Sequence, residues 1–173
     1  MTRGISYAVL TSSDSGHAGE RRDIGGDAVV STMNSKGHVL AQRSLLPDDL
    51  DSLTRQLREW SEDLDVELIL TTGGTGLGPR DVIPEATLSV IDYQVPGMAE
   101  AMRAASLQIT SMAMLSRAVV GVANRTLIVN LPGSPKGAVE TLDIVLPVLP
   151  HAVEIMSDTH RGDHPIRSDT HSH

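Results

Sequence analysis

Apolar runs typical of strands alternate with helical patterns through the first half of the chain, and this alternation constrains the fold most. Three strands are predicted, at Ile5–Thr11, Val39–Leu46 and Val66–Thr72. Between them we predict a helix from Asp27 to a stop at Gly37, and an amphipathic helix over Leu50–Trp60. Because short links join these elements, the order favours parallel strands connected by right-handed helical crossovers. The sequence therefore predicts an α/β domain.

The second half of the chain is predicted to be richer in helix and to contain one hairpin. Two short apolar runs, Arg117–Val122 and Thr126–Leu131, lie close enough to pair as a hairpin. Such a hairpin places one antiparallel strand in an otherwise parallel sheet. Further helices are expected from Pro84, from the break at Pro96-Gly97 to Ile109, and over Val139–Met156 with a bend near Pro147 and Pro150.

The domain is expected to cover residues 1–157, since no internal repeat or long linker divides it. Residues 158–173, DTHRGDHPIRSDTHSH, are polar, and a disordered tail is expected there. Four histidines of this segment could capture a transition metal, although a solvated tail is the favoured interpretation: His160, His164, His171 and His173.

Charge and composition exclude several classes of function. Lys and Arg total 14 against 22 Asp and Glu, a net charge of −8, which argues against nonspecific nucleic-acid binding. The chain has no cysteine, so disulfides and thiolate metal sites are excluded. No apolar stretch approaches the roughly 20 residues that span a bilayer, and the amino terminus lacks a signal-peptide pattern. A cytoplasmic protein without membrane contact is expected.

The third predicted strand leads directly into a cluster of glycines. Val66–Leu70 is apolar, and Gly73, Gly74, Gly76 and Gly78 follow before Arg80 and Asp81 in the stretch LILTTGGTGLGPRD. Bare backbone N–H groups at the end of a strand can wrap a phosphate, because no Cβ blocks its approach. The alternative is a tight strand-to-helix turn without a ligand.

Carboxylates are expected at the same edge of the sheet, where ligands bind in open parallel α/β folds. They would repel a bare phosphate, but they suit a divalent cation that bridges them to a polyphosphate, and oxygen ligands of this kind select Mg²⁺. The residues alone therefore predict a Mg-nucleotide site. The residues that follow the parallel strands are Ser12, Ser13 and Asp14; Asp48 and Asp49; the glycine cluster with Asp81; and Pro132, Gly133, Ser134 and Lys136.

Some of these residues also have ordinary structural roles. Asp49 could cap the helix that follows it, and His17 could be a surface residue. Ser116-Arg117 either begins a strand or reaches the site. Two known phosphate motifs are absent: there is no GxxxxGK[ST], and Pro79 interrupts any GxGxxG pattern.

Three segments together resemble the molybdopterin adenylyltransferase family of the MogA/MoaB type. They are TTGGTGLGPRDVIPEAT (Thr71–Thr87), PGMAEAMR (Pro96–Arg103) and the LSRAVVGV…TLIVNLPGSPKGAVE pattern of Leu115–Glu140, and the likeness extends over about Ile5–Met156. The resemblance implies a three-layer α/β/α sandwich that assembles as a homotrimer. It also implies transfer of AMP from Mg-ATP to the terminal phosphate of molybdopterin, release of pyrophosphate, and hand-over of the product to a molybdenum-inserting protein.

The resemblance assigns roles residue by residue. Asp48 and Asp81 match the essential carboxylates of the family and are expected to hold Mg²⁺ and orient the attacking phosphate. Residues expected to bind the nucleotide or molybdopterin are Ser12, Asp14, Thr72, Gly73, Gly74, Thr75, Gly76, Ser116, Pro132, Gly133, Ser134 and Lys136.

Two departures from the family pattern lie near this site. Ile83 stands where a helix-capping Thr is common, unless Asp81 substitutes as the cap. Gly25 stands where the family often has Ser, so a hydroxyl contact is missing. They leave open a trimeric paralogue that binds molybdopterin with little catalysis. A third hypothesis is a nucleotide pyrophosphatase of the related competence-damage type, which the short length disfavours.

Overall fold

The computed structural model describes residues 3–62 and 65–157. Within these residues a single sheet of six strands forms the centre, in the order β2-β1-β3-β6-β5-β4. The strands are β1 (Ser6–Ser12), β2 (Val39–Leu46), β3 (Leu68–Thr72), β4 (Tyr93–Gln94), β5 (Val120–Ala123) and β6 (Thr126–Leu131).

Helices cover both faces of the sheet, which confirms the three-layer sandwich. They are α1 (Asp14–His17), α2 (Ile24–Ser35), α3 (Leu50–Glu62), α4 (Ile83–Leu88), α5 (Pro96–Leu107), α6 (Pro135–Val145) and α7 (Leu149–Ser157), with 3₁₀ turns at Ser111–Leu115 and Leu146–Val148. On one face, α2, α5, α6 and α7 bury residues such as Met33, Met102 and Leu142. On the other, α3 and α4 bury Leu57, Trp60 and Ile83.

The parallel strands share a register that aligns their carboxyl ends. Thr11 of β1 pairs with Thr72 of β3, and Thr72 pairs with Leu131 of β6. The residues after these strands therefore emerge side by side at one edge. β5 is antiparallel to both of its neighbours, so the prediction of a mostly parallel sheet with one antiparallel strand is confirmed.

Several boundaries differ from the sequence predictions. The expected surface loop after β1 contains the one-turn helix α1, and α2 begins at Ile24 because the Asp23 carboxylate caps it by accepting the Gly26 N–H (2.9 Å). Pro96-Gly97 forms the first turn of α5, where a missing proline N–H costs nothing, and the helix from Pro84 has already ended at Leu88.

The final helix is interrupted at the place where the sequence predicts a bend. The helical segment runs as α6 and α7 with a 3₁₀ turn around Pro147, which confirms the bend there, while Pro150 lies in the first turn of α7. β5 begins at Val120 rather than Arg117, because the Arg117 N–H donates to Thr75 O and not to a strand (2.9 Å).

The tail expected at 158–173, with its four histidines, lies outside the described residues. Among the helices of the described part, none combines the length and the apolar character needed to cross a bilayer.

Candidate active site

A cavity of about 610 Å³ lies at the carboxyl edge of the sheet, and we term it the polar cavity because serine, threonine and charged residues make up more than half of its lining residues. Its floor is formed where β1, β3 and β6 end, and the amino terminus of α2 and Arg21 flank it. Five of the predicted binding residues contribute to its wall: Ser12, Thr72, Gly73, Gly133 and Ser134.

A second, apolar cavity of about 290 Å³ adjoins the first at Ser134, which lines both. It lies between α5, the 3₁₀ turn of Ser111–Leu115 and α6, and Met102, Ile109 and Met112 contribute apolar surface. Predicted binding residues in its wall are Thr75, Gly76, Ser116, Pro132 and Ser134. No sequence pattern indicated this cavity, since methionines at helical spacing are also typical of a hydrophobic core.

The floor of the polar cavity is close-packed backbone. Gly73 has φ of +94°, and a Cβ at this position would lie 2.3 Å from the carbonyl oxygen of Ser12. Its N–H donates to Leu131 O (3.3 Å), while the neighbouring Thr72 hydroxyl donates to Pro132 O (2.7 Å). Only glycine combines this φ with this proximity, so the first glycine of the cluster is required by the packing of three strand ends.

Asp48 is fixed by the loop after β1. Its carboxylate accepts the backbone N–H of Asp14 (3.0 Å) and the hydroxyl of Ser12, and its own N–H donates to the Asp14 carboxylate (2.9 Å). Asp49 does cap α3, because its carboxylate accepts the Ser52 N–H (2.9 Å). The adjacent aspartates therefore have separate roles: Asp49 caps α3, and Asp48 faces the ends of β1 and β2.

Arg80 connects this cluster to the glycine-rich segment. Its guanidinium binds Asp14 through two hydrogen bonds, Nε to Oδ2 (3.0 Å) and Nη2 to Oδ1 (2.8 Å). These bonds, together with the N–H of Asp48, hold the pKa of Asp14 below its ordinary value. Asp14 thus remains a carboxylate that joins the β1 loop, the β2 loop and Arg80.

Asp81 closes the glycine-rich segment on itself. Its carboxylate Oδ2 accepts the Gly78 N–H (2.8 Å), and its backbone N–H donates to Gly78 O (3.0 Å). Oδ2 lies 2.9 Å from where a Cβ on Gly76 would stand, so Gly76 places the carboxylate directly against the wall of the apolar cavity. Asp81 does not cap α4: Val82 is the N-cap, and no described side chain bonds there.

Two further predicted residues, Gly74 and Lys136, line neither cavity. Gly74, with φ of +62°, packs beneath Ile83, and its carbonyl accepts the Ile83 N–H (3.2 Å). Lys136 extends into solvent with its side chain 79% exposed, 3.7 Å from Glu140, and contributes to neither cavity wall.

Gly25, one of the two departures from the family pattern, is tightly enclosed. A Cβ there would lie 2.9 Å from Gly133 O, so the start of α2 packs directly on the loop after β6. Arg43 and Thr11 hold this start through the Asp23 carboxylate, at 2.7 and 2.8 Å. Neither Asp23 nor Arg43 was identified as a site residue from the sequence, because isolated charged residues are typical of the protein surface.

The carboxylates of Asp48 and Asp81 suit a magnesium ion that also binds waters and substrate phosphates. Among residues 3–62 and 65–157, no three Asp, Glu or His side chains gather to hold a metal alone. Asp48 and Asp81 nevertheless retain lone pairs beyond the hydrogen bonds that orient them. Mg²⁺ typically takes one or two protein carboxylates and completes its shell with waters and substrate phosphates, and the two carboxylates fit that pattern.

Comparison with known proteins agrees with this architecture. The family model described as "Probable molybdopterin binding domain" matches residues 8–151. The molybdenum cofactor synthesis protein cinnamon of Drosophila melanogaster is 36% identical over 155 residues, 89% of this chain but 26% of its own length. The chain thus spans about a quarter of that relative.

Relatives of similar length also match. A molybdopterin adenylyltransferase of Helicobacter pylori is 34% identical over 154 residues, 88% of each chain. The crystal structure of the molybdopterin biosynthesis enzyme MoaB from Thermus thermophilus superposes with a TM-score of 0.83 at 49% identity, covering 88% of this chain and 96% of that one.

Proposed function

Because this chain belongs to the family of probable molybdopterin binding domains, we propose that it is a molybdopterin adenylyltransferase of molybdenum cofactor biosynthesis. An oxygen of the terminal phosphate of molybdopterin attacks the α-phosphorus of ATP, the bond from that phosphorus to the β-phosphate oxygen breaks, and pyrophosphate leaves. The observation that carries the proposal concerns the two carboxylates implied by the family resemblance. Asp48 accepts the hydroxyl of Ser12, which lines the polar cavity, and Asp81 packs against Gly76, which lines the adjoining apolar cavity.

Two adjoining cavities suit a reaction that joins two molecules. The polar cavity offers the glycine backbone of Gly25 and Gly133 and the positive charge of Arg21, which suit phosphate groups. The apolar cavity suits a flat heterocyclic ring, because Met102, Ile109 and Met112 contribute apolar surface to its wall. Ser134 stands where they meet, so phosphates of both substrates can approach one another there.

The chain's own contribution is alignment rather than covalent chemistry. Transfers at phosphorus depend on in-line positioning and on neutralising charge, and they need little covalent help from the protein. Asp48 and Asp81 would hold Mg²⁺, which supplies positive charge to the phosphates when bound. The hydrogen bonds from Ser12 and Asp14 to Asp48, and from Gly78 to Asp81, fix the two carboxylates before substrate arrives.

Assembly, hand-over and location belong to the same proposal. We expect a homotrimer that passes the adenylylated product to a molybdenum-inserting protein, and its use of ATP is consistent with a cytoplasmic location. Met112, Met114 and Leu115 are 63%, 69% and 46% exposed and offer apolar surface for subunit contact. Light scattering measures the oligomeric state directly.

The decisive experiment is AMP transfer to molybdopterin, followed by pyrophosphate release. Wild-type protein should turn over with Mg²⁺ and stop with a chelator, and Asp48→Ala and Asp81→Ala should both be nearly inactive. Tight molybdopterin binding without pyrophosphate release would support the non-catalytic carrier instead. Hydrolysis of a nucleotide sugar or ADP-ribose would support the pyrophosphatase.

A further inference from the structure

Arg117 contacts both ends of the segment Thr75–Asp81, which we term the catalytic loop. Its backbone N–H donates to Thr75 O (2.9 Å), and its guanidinium Nε donates to Gly76 O (2.7 Å). Nη2 of the same guanidinium donates to the backbone carbonyl of Asp81, at the other end of the loop. One residue therefore holds the entry and the exit of the loop together.

The catalytic loop has few other ties to the protein. The two hydrogen bonds between Gly78 and Asp81 lie inside the loop and do not join it to another segment. Within the described residues, the hydrogen bonds that join the loop to other segments come from Arg117 and from Arg80, which binds Asp14. The Arg80–Asp14 pair is exposed, at 61% and 48%, whereas the Arg117 side chain is 35% exposed. Arg117 is consequently the better shielded of the two anchors.

Glu85 completes the arrangement by orienting the guanidinium. Its carboxylate in the first turn of α4 accepts a hydrogen bond from Nη1 of Arg117, and this bond lowers the pKa of Glu85. Three acceptors in different directions thus engage Nε, Nη1 and Nη2. The rigid fork of an arginine can satisfy all three at once, whereas the single ammonium of a lysine cannot.

We propose that Arg117 is a positioning residue for the transfer reaction, which fixes the catalytic loop so that Asp81 faces the reacting phosphates. The inference rests on the proposed function. Arg117 acts through the backbone of the loop, so its loss should slow the chemical step more than it weakens ATP binding. A misplacement of about 1 Å at a catalytic group can cost on the order of 100-fold in rate, and we expect kcat to fall by that order with KM for ATP nearly unchanged.

The variants that test this are Arg117→Lys and Arg117→Ala, with Glu85→Gln and Arg125→Ala as comparisons. Glu85→Gln keeps the two carbonyl contacts of Arg117 and should lose less activity than Arg117→Lys. Arg125 is exposed in the β5–β6 turn at the opposite edge of the sheet, so Arg125→Ala should match wild type. Millimolar guanidinium ion should partly restore kcat of Arg117→Ala, which a general loss of folding would not allow.

Hydrogen–deuterium exchange provides a readout that needs no activity. The amide protons of Gly78 and Asp81 should exchange faster in Arg117→Lys and Arg117→Ala, while amides of β1, β3 and β6 keep their wild-type protection. Unchanged exchange in the loop, or unchanged kcat, overturns the inference, and so does a rise in KM at constant kcat. If wild-type protein transfers no AMP, the proposed function fails, and the exchange experiment alone decides whether Arg117 holds the loop.

Discussion

Asp14 and Asp48 each accept the backbone N–H of the other, at 2.9 and 3.0 Å, so the loops after β1 and β2 are joined by two reciprocal hydrogen bonds. The Ser12 hydroxyl adds a third bond, to Asp48. This arrangement fixes one carboxylate of the candidate site before any ligand binds. Asp48 therefore has both a structural role, through its hydrogen bonds, and a proposed chemical role, through its charge.

The variant Asp48→Asn separates these two roles. An amide can still accept the Asp14 N–H and donate to the Ser12 oxygen, so the melting temperature should change little. Loss of the negative charge should lower AMP transfer by about 10²- to 10³-fold and raise the Mg²⁺ concentration needed for activity. Asp51→Asn makes the same change on the exposed first turn of α3 and should be neutral in both assays. Near-normal turnover of Asp48→Asn would refute the metal-binding role.

Asp81→Asn should nearly abolish AMP transfer and leave the fold intact. The amide oxygen can replace Oδ2 as acceptor of the Gly78 N–H, so the loop keeps its closing bond while the charge is lost. Circular dichroism and thermal unfolding check the fold, and pyrophosphate release checks the rate. Asp92→Asn is the matched control, because Asp92 also accepts one backbone N–H, from Asn124, at the other edge of the sheet (2.7 Å).

Gly73→Ala should destabilise the protein by about 2–4 kcal/mol. The added methyl group meets a φ of +94° and the Ser12 carbonyl oxygen at 2.3 Å, and relief requires the ends of β1 and β3 to separate. Gly97→Ala adds the same methyl group in the first turn of α5, where nothing lies within 4 Å, and should stabilise by up to about 1 kcal/mol. Urea unfolding of both variants measures the contrast, and equal effects would contradict it.

Asn130→Ala should cost about 3 kcal/mol in the free energy of unfolding. The buried amide of Asn130 donates to the hydroxyls of Thr71 (3.1 Å) and Thr87 (2.9 Å) and accepts the Val119 N–H (3.1 Å). Truncation leaves these groups without their partner and loosens α4 from β6. Gln42→Ala, on exposed β2 surface, should change the free energy of unfolding by less than about 0.5 kcal/mol.

Stability should decline at high pH through Tyr7. Burial raises the pKa of its hydroxyl from 10.0 to about 12, although the positive charge of Arg43 lowers it in part. The unfolded chain releases this proton more readily than the folded one, so the contribution of Tyr7 is complete below its unfolded pKa and is lost as pH rises towards about 12. Ultraviolet titration should show a late tyrosinate step that Tyr7→Phe removes, and the absence of a step that this substitution removes at high pH would contradict it.

Local sequence patterns predicted much of the fold. Strands β1, β2, β3 and β6 and the long helices follow from apolar periodicity and from glycine and proline positions, which act over a few residues. The two-residue β4 was missed, because Tyr93 and Gln94 are exposed and lack any strand pattern. The break around Pro147 was predictable, since the chemistry of proline is local.

Some residues of the candidate site were predictable from the sequence and others were not, because sequence patterns act over only a few residues. Residues directly after the parallel strands, such as Ser12, Asp48 and Gly133, were identifiable because strand ends in such a sheet share one edge. Lys136 was expected to complete the site from its position beside a glycine turn, yet its side chain extends to solvent. Position in the chain gives the edge on which a residue lies, but it does not give the direction of a long side chain.

The sequence by itself predicted the α/β layers and the edge of the sheet at which chemistry can occur. Only the tertiary structure decided that Arg117 holds Gly76 across 41 positions and that Arg80 holds Asp14 across 66. The physical reason is that a long-range hydrogen bond depends on the relative placement of two segments after folding. Periodicity and spacing describe one segment at a time, so they leave such a pairing open until the strands have fixed their register.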